Sequence, residues 1–169
     1  MKDKDDIIQR LKLEKHVEGG YFSETYRSGL QIQTDRVGEG RSLLTAIYYM
    51  LTDDNPIGYF HTNLSDAIHF FHAGEPALYL IVHPDGRLEK RLLGADPEKG
   101  CQLQLLVEGG CWKASVLRKG SFSLIGEVIT PGFEYQDNTM AEPDGFKALF
   151  PELWDELSPY VLDAGKVAG

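Results

Sequence analysis

The stretch from Leu78 to Leu93 limits the fold most: Leu78–Val82 is apolar, Pro84-Asp85-Gly86 follows, and Arg87–Leu93 leads away again. Proline presets a turn angle and glycine accepts positive φ, so the segment reads as a β-hairpin. The pattern recurs along the chain. Tyr21–Arg27 alternates aromatic and polar residues, and Leu44–Leu51 is a near-continuous apolar run expected to form a central strand. Leu103–Val107 and Phe122–Ile129 are further strands, the latter ended by Pro131-Gly132, while Gly38-Glu39-Gly40-Arg41 and 94–100 read as loops. Many short strands separated by turns predict a mostly antiparallel sandwich or barrel, because βαβ units would need long helical patterns between strands. Helical spacing occurs only near the ends. Asp5-Asp6 before Ile7, Ile8 and Leu11 predicts a short capped helix, expected to act as a lid. Phe146, Leu149, Leu153, Trp154 and Leu157 predict a helical tail packed outside the barrel, with Pro151 starting a second short helix.

At 169 residues, 42% hydrophobic and 25% charged, the chain is predicted to fold as one domain over 1–169. Its parts are a helical segment at about 5–13, a barrel at about 20–140 and C-terminal helices at about 144–158. Seventeen basic against twenty-six acidic residues give a formal charge of −9, which opposes phosphate-backbone binding, so nucleic acid is not an expected partner. No run of about 18 apolar residues marks a membrane span, and Met1 to Arg10 is charged, unlike a signal peptide; the expected address is cytoplasmic. Cys101 and Cys111 have neither disulfide-framework nor zinc-site spacing and are expected to be free thiols.

Chemistry concentrates in His61–Gly74, which holds three of the five histidines among aromatic residues. In a strand, Ala67, His69 and Phe71 share one face and Phe70 and His72 the other. His61 precedes a loop, and a bend there would bring it beside His69. Imidazole is the side chain whose unperturbed pKa lies nearest neutrality, so His61 and His69 are candidate proton donor and acceptor. The plainer alternative is that both only stack and hydrogen-bond.

Glu18-Gly19-Gly20-Tyr21-Phe22, Glu24-Thr25-Tyr26-Arg27-Ser28, Phe60-His61, Ser65-Asp66, Ala73-Gly74, Pro84-Asp85-Gly86 and Pro131-Gly132-Phe133 together resemble the cupin superfamily. The closer resemblance is to its uncharacterised Cupin_5 (DUF985) family, from about Ile7 to about Pro151. It implies an all-β fold, the cupin double-stranded β-helix or jelly-roll barrel, with short flanking helices, a pocket inside and assembly as a homodimer. Metal-binding cupins carry His-x-His, then Glu and Gly, and a later Pro-x-Gly-x-x-His. Laid on this chain with the first glycine on Gly74, the pattern retains only His61; Asn63 and Ala67 occupy the second histidine and glutamate positions. The second motif falls on Glu108–Lys113 and puts Lys113 where the last histidine belongs. One histidine and a weak asparagine fall short of the three or four converging donors a metal needs, and no spacing brings in Glu127 or Glu134. No metal and no cofactor are expected. This chain also carries Asp66-Ala67-Ile68-His69 where the family more often has Asp-Glu followed by tryptophan, so a glutamate that would serve as general base is absent.

The same alignment points Lys113 inward, where it would bind an anionic group or act as a base, the alternative being a lysine on the solvent face of its strand. Tyr21, Tyr48, Phe71 and Trp112 offer flat surface for a ring or serve as plain core. Glu24 and Arg27 either clamp a ligand at the mouth or form a surface pair, and Asn63, Asp66 and Glu134 complete the candidate ligand-binding set. His16 and His83 are expected to be supporting and solvated. The leading expectation is a small-molecule-binding cupin with His61, His69 and Lys113 as catalytic groups, acting as a metal-independent isomerase or epimerase on a sugar- or nucleotide-derived ligand. The alternatives are a non-catalytic binding module and, second, a metal-dependent oxygenase with an atypical ligand set.

Overall fold

The computed structural model describes residues 3–163; the expected domain limits at 1 and 169 lie outside the described residues. After helix α1 (Lys4–Leu11), fourteen strands follow in chain order: β1 (Glu14–Lys15), β2 (Tyr21–Arg27), β3 (Gln31–Gln33), β4 (Gly40–Ser42), β5 (Thr45–Thr52), β6 (Ile57–Asn63), β7 (Asp66–Gly74), β8 (Ala77–Val82), β9 (Leu88–Leu93), β10 (Cys101–Gln102), β11 (Gln104–Val107), β12 (Trp112–Leu117), β13 (Phe122–Thr130) and β14 (Asn138–Met140). Helices α2 (Pro143–Leu149) and α3 (Trp154–Leu157) form the tail. Two six-stranded sheets face each other, ordered β1-β2-β5-β13-β7-β11 and β10-β9-β8-β12-β6-β14, and β3 and β4 make a separate ribbon. Pairing is antiparallel except between β9 and β10. The expected hairpin is present, with Val82 opposite Leu88, and β5 is a central strand between β2 and β13. The loop expected at Gly38–Arg41 instead runs into β4, because Gly40–Ser42 finds a partner in Gln31–Gln33.

Strand alternation divides the apolar residues into three layers. The inner faces contribute Leu51, Tyr79, Ile81, Leu105, Leu117 and Ile125 to the core between the sheets. Outside the first sheet, Met50 and Leu124 pack against Ile7 and Leu13, so α1 covers the back of that sheet rather than lidding the interior. Its start is fixed by Asp3, whose side chain accepts from the Asp5 N–H, with Asp5 and Asp6 at the positive end of the helix. Outside the second sheet, Phe60, Leu80, Ala114 and Val116 meet Phe146, Phe150 and Leu157 of the tail, as its spacing predicts. Burying each of these large side chains contributes about 1.5–3 kcal/mol.

The interior is solid at one end and hollow at the other. Towards the solid end the inward positions hold Leu51, Leu117 and Ile125; towards the hollow end they hold Thr45, Ala67 and Ser115, which are too small to meet across the gap. Tyr49 and Tyr79 belong to the core and also line the hollow, so they form its floor.

Candidate active site

The hollow is a cavity of about 270 Å³, with Phe22, Ile47, Val107, Ile129 and Phe133 as apolar walls. Its polar groups come from both sheets by register. On β13, Glu127 sits opposite His69 of β7; on β12, Lys113 sits opposite His61 of β6. Directly opposed residues project to the same face, so each sheet offers one pair and the two pairs meet across the gap.

Lys113 Nζ donates to Glu127 Oε2 at 2.9 Å and lies 3.2 Å from His69 Nε2. His69 Nδ1 lies 3.1 Å from the same Glu127 oxygen and 3.2 Å from Tyr79 Oη. An ammonium donates only and a carboxylate accepts only, so His69 Nε2 accepts from Lys113 and Nδ1–H donates to Glu127. Burial and the neighbouring Lys113 push His69 below the usual imidazole range, in keeping with a neutral ring. Burial alone would raise Glu127, but Lys113 and His69 outweigh it and hold the carboxyl well below its ordinary 4.5. Both bonds fall on Oε2, which leaves Oε1 as the atom of this carboxylate open to a ligand. Burial raises the Tyr49 and Tyr79 phenols, which stay protonated at neutral pH.

The opposite wall carries a second pair. His61 Nδ1 is 2.7 Å from the Tyr59 carbonyl and must donate to it, which leaves Nε2 facing Glu18 Oε2 at 3.3 Å. Burial pushes His61 below the usual imidazole range, against the opposing pull of Glu18. Glu18 Oε1 accepts from Asn138 Nδ2 at 2.6 Å, and the Glu18 N–H donates to His16 Nδ1 at 3.2 Å. His16 thus supports the turn, its ring edge-on to Phe22. The turn itself requires glycine: Gly19 has φ +93°, and a Cβ there would lie 2.0 Å from the Ile57 carbonyl oxygen.

At the mouth, Arg27 binds Glu24 through Nε and Nη2, Glu134 through Nη1 at 2.8 Å, and the Phe133 carbonyl. Beyond it, the buried Asp137 carboxylate receives Arg41 through Nε at 2.8 Å and Nη2 at 2.7 Å, and Arg36 at 3.0 Å. The segment 133–138 is a strap pinned at both ends.

Of the residues singled out in the sequence, the fold brings His61, Asn63, Lys113, Glu24, Arg27 and Glu134 to the cavity wall. His69 is fully buried behind Lys113 and Glu127; it can position them but does not reach the cavity surface. Five assignments are corrected. Tyr21 and Tyr48 lie on the outer face of their strands against the α1 layer, with Tyr48 edge-on to His72. Trp112 packs edge-on against Phe146 on the back of the second sheet. Phe71 points inward but into the solid end, and Asp66 is exposed, where it accepts from the Gly109 N–H. Lys113 is inward, yet it is already paired rather than free to grip an anion. His83 is bound to Glu89 at 3.0 Å rather than simply solvated. Glu18, Glu127, Tyr49, Tyr79 and Ser115 were not anticipated as site residues. For Glu127 a signal exists: it is the one charge in the otherwise uncharged strand Phe122–Thr130, and a central strand does not bury a lone carboxylate without reason.

Cupin sites commonly hold a metal ion, but the donors here do not fit one. Lys113 Nζ already occupies the space between His69 Nε2 and Glu127 Oε2, supplying the positive charge those acceptors face. Among the described residues no group of three or more His, Cys, Asp or Glu side chains is arranged to hold a metal.

Two facing antiparallel sheets with a polar cavity between them and helices on the outside define a protein of the cupin, double-stranded β-helix class. The sequence pattern of one branch, described as Cupin superfamily (DUF985) and named Cupin_5, matches residues 5–141, and the chain belongs to that family. It is similar to the uncharacterized protein YML079W of Saccharomyces cerevisiae, with 39% identity over 167 residues, 90% of this chain and 83% of the yeast one. A hypothetical protein from Leishmania major superposes with a TM-score of 0.89 at 28% identity, over 95% of this chain and 99% of that one. Oxalate decarboxylase from Bacillus subtilis shares the fold alone, with a TM-score of 0.53 at 16% identity over 86% of this chain and 36% of the other. Among the described residues no helix is long and apolar enough to cross a membrane.

Proposed function

We propose that the cavity binds a small polar carbonyl compound and moves a proton on it without a metal, in the manner of an isomerase or epimerase; a sugar derivative is the class of ligand that suits its size. The observation that carries this reading is a buried carboxylate, Glu127, bonded by Lys113 and held ionised on one cavity wall, with the Glu18–His61 pair facing it from the other. The reading requires that pair to carry one proton when the ligand is bound, so that one site supplies both an acid and a base. Glu127 Oε1 takes the proton from the carbon beside the carbonyl, and the electron pair moves onto the carbonyl oxygen. Negative charge thereby passes from carboxylate to substrate while Lys113 neighbours both, so its own charge stays compensated. Glu18–His61 gives a hydrogen to that oxygen; Glu127 then returns its proton to the other face of the same carbon while the oxygen gives its hydrogen back to the pair, or to the former carbonyl carbon while the neighbouring hydroxyl gives up its own, so that a carbonyl is re-formed and both acid and base are regenerated.

The test is wash-in of solvent deuterium. Aldoses, ketoses and 2-amino sugars are incubated with the protein in D2O and read by NMR. The reading expects carbon-bound exchange with at least one compound, lost by about 10²-fold or more in a folded Glu127→Gln protein. No exchange anywhere in the panel would remove the catalytic step. A binding module without turnover is the second reading, favoured by the same depression of Glu127, since a carboxylate held that low is a weak base.

A further inference from the structure

Two groups around the cavity have no part in the proposed proton transfer: the imidazole of His69 and the hydroxyl of Tyr79. His69 is fully buried, yet it touches both members of the Lys113–Glu127 pair, with Nε2 3.2 Å from Lys113 Nζ and Nδ1 3.1 Å from Glu127 Oε2. A ring that accepts at one nitrogen and donates at the other is a path for protons. As Lys113 gives a proton to Nε2, the Nδ1 hydrogen passes to Glu127, and no water has to enter. What results is a neutral amine beside a neutral carboxylic acid, both on the cavity wall. Tyr79 suits this second state rather than the resting one. At rest its hydroxyl faces a nitrogen, His69 Nδ1 at 3.2 Å, that already carries a hydrogen. Once that hydrogen has moved to Glu127, Nδ1 is bare and can accept from Tyr79, which holds the ring in its new tautomer.

We propose that Lys113 is a nucleophile that captures the carbonyl carbon of an aldehyde or ketone as a Schiff base, with His69 as the base behind it. This rests on the proposed function for the carbonyl class of the ligand and goes beyond it by adding a covalent bond. With its proton passed to His69, Nζ attacks the carbonyl carbon, the C–N bond forms, and the oxygen takes the proton that Glu127 received. A second nitrogen hydrogen follows through the same carboxyl onto the new hydroxyl, the C–O bond breaks and water leaves. One hydrogen and the positive charge stay on the C=N nitrogen, and Glu127, again a carboxylate, is its counter-ion. His69 keeps one hydrogen, now on Nε2. The step is redox-neutral, and the apolar walls at Phe22, Ile47 and Ile129 favour the loss of water. A captured ligand gives its neighbouring carbon-bound proton to Glu127 more readily than a free one, because the positive nitrogen receives the electron pair in place of the oxygen.

The test is reductive trapping. The full-length protein is incubated at neutral pH with glycolaldehyde or dihydroxyacetone and cyanoborohydride, which reduces a C=N bond in place, and the labelled lysines are identified and timed by peptide mass spectrometry. Lys113 is expected to be labelled at least about tenfold faster than the exposed Lys12 and Lys119, the reverse of the order that burial alone would give. His69→Gln, whose amide can accept from Lys113 and donate to Glu127 but cannot carry a proton from one side to the other, should remove that advantage. Labelling of Lys113 no faster than the exposed lysines overturns the inference, and so does undiminished labelling in a folded His69→Gln protein; the wild-type comparison decides whether or not that variant folds. Trapping at Lys113 without deuterium exchange on any sugar leaves the capture standing and removes the proton-transfer reading, whereas exchange without trapping does the opposite.

Discussion

Replacing Lys113 by methionine keeps the stem and removes the charge, which exposes what the lysine does. At the 2.9 Å separation of Lys113 Nζ and Glu127 Oε2, an effective dielectric of about 20 gives an attraction of roughly 6 kcal/mol. Part of that offsets the cost of burying both ions, and breaking such a pair from one side costs about 3–5 kcal/mol because the other charge is stranded. Lys113→Met is therefore expected to lose about 3–5 kcal/mol in urea unfolding at pH 7.5. The pH dependence carries the argument. In the wild-type protein the folded pKa of Glu127 is below its unfolded value near 4.5, so the pair's contribution is present above that pH and lost as pH falls through the folded pKa. Without Lys113, burial acts with less opposition and raises the carboxyl, so the variant pays its penalty at neutral pH and recovers as Glu127 is protonated on acidification. The gap between the two proteins should narrow from pH 7.5 to pH 5. Adding Glu127→Gln to Lys113→Met should restore stability, so that the double variant is less damaged than the sum of the singles. A loss under about 1 kcal/mol, a gap that does not change with pH, or additive singles would refute a buried, coupled pair.

Three more outcomes follow from the geometry. Lys113→His should let His61, His69 and Glu127 converge on a cation, so zinc should raise the melting temperature of that variant and not of the wild-type protein, read by differential scanning fluorimetry with and without a chelator. Asp137→Ala strands Arg41, which is 1% exposed, and should cost about 3–5 kcal/mol by chemical unfolding. Burial and the neighbouring Glu108 push the Cys111 thiol up, so its alkylation by iodoacetamide at pH 7 should run at least about tenfold slower than that of a free cysteine peptide, timed by mass spectrometry.

The hairpin at Pro84-Asp85-Gly86, the central strand at 45–52 and the tail helices were legible because each rests on local signals: a turn, an apolar run or a 3.6-residue period. The site was legible only where a motif reached it, as for His61, Asn63 and Lys113. Glu127 stands 58 residues from His69 in sequence, and only the register of β13 on β7 joins them. Choosing Tyr48 over Tyr49 was a question of parity in a run whose two faces are both covered, one by α1 and one by the core, so polarity gave no cue. Glu18 was hidden by its own context, since Glu-Gly-Gly announces a turn and says nothing of what the turn's first side chain faces.

Because one wall of the cavity comes from each sheet, neither sheet by itself has a site. Glu127 and His69 belong to one, Lys113 and His61 to the other, and the atoms that would meet a ligand converge only when the sheets are docked. A partly unfolded chain that keeps its strands but lets the layers separate would retain its far-ultraviolet dichroism and lose ligand binding altogether. On the proposed function, occupancy of the cavity would report complete assembly, and a bound ligand would clamp the two halves of the interior together.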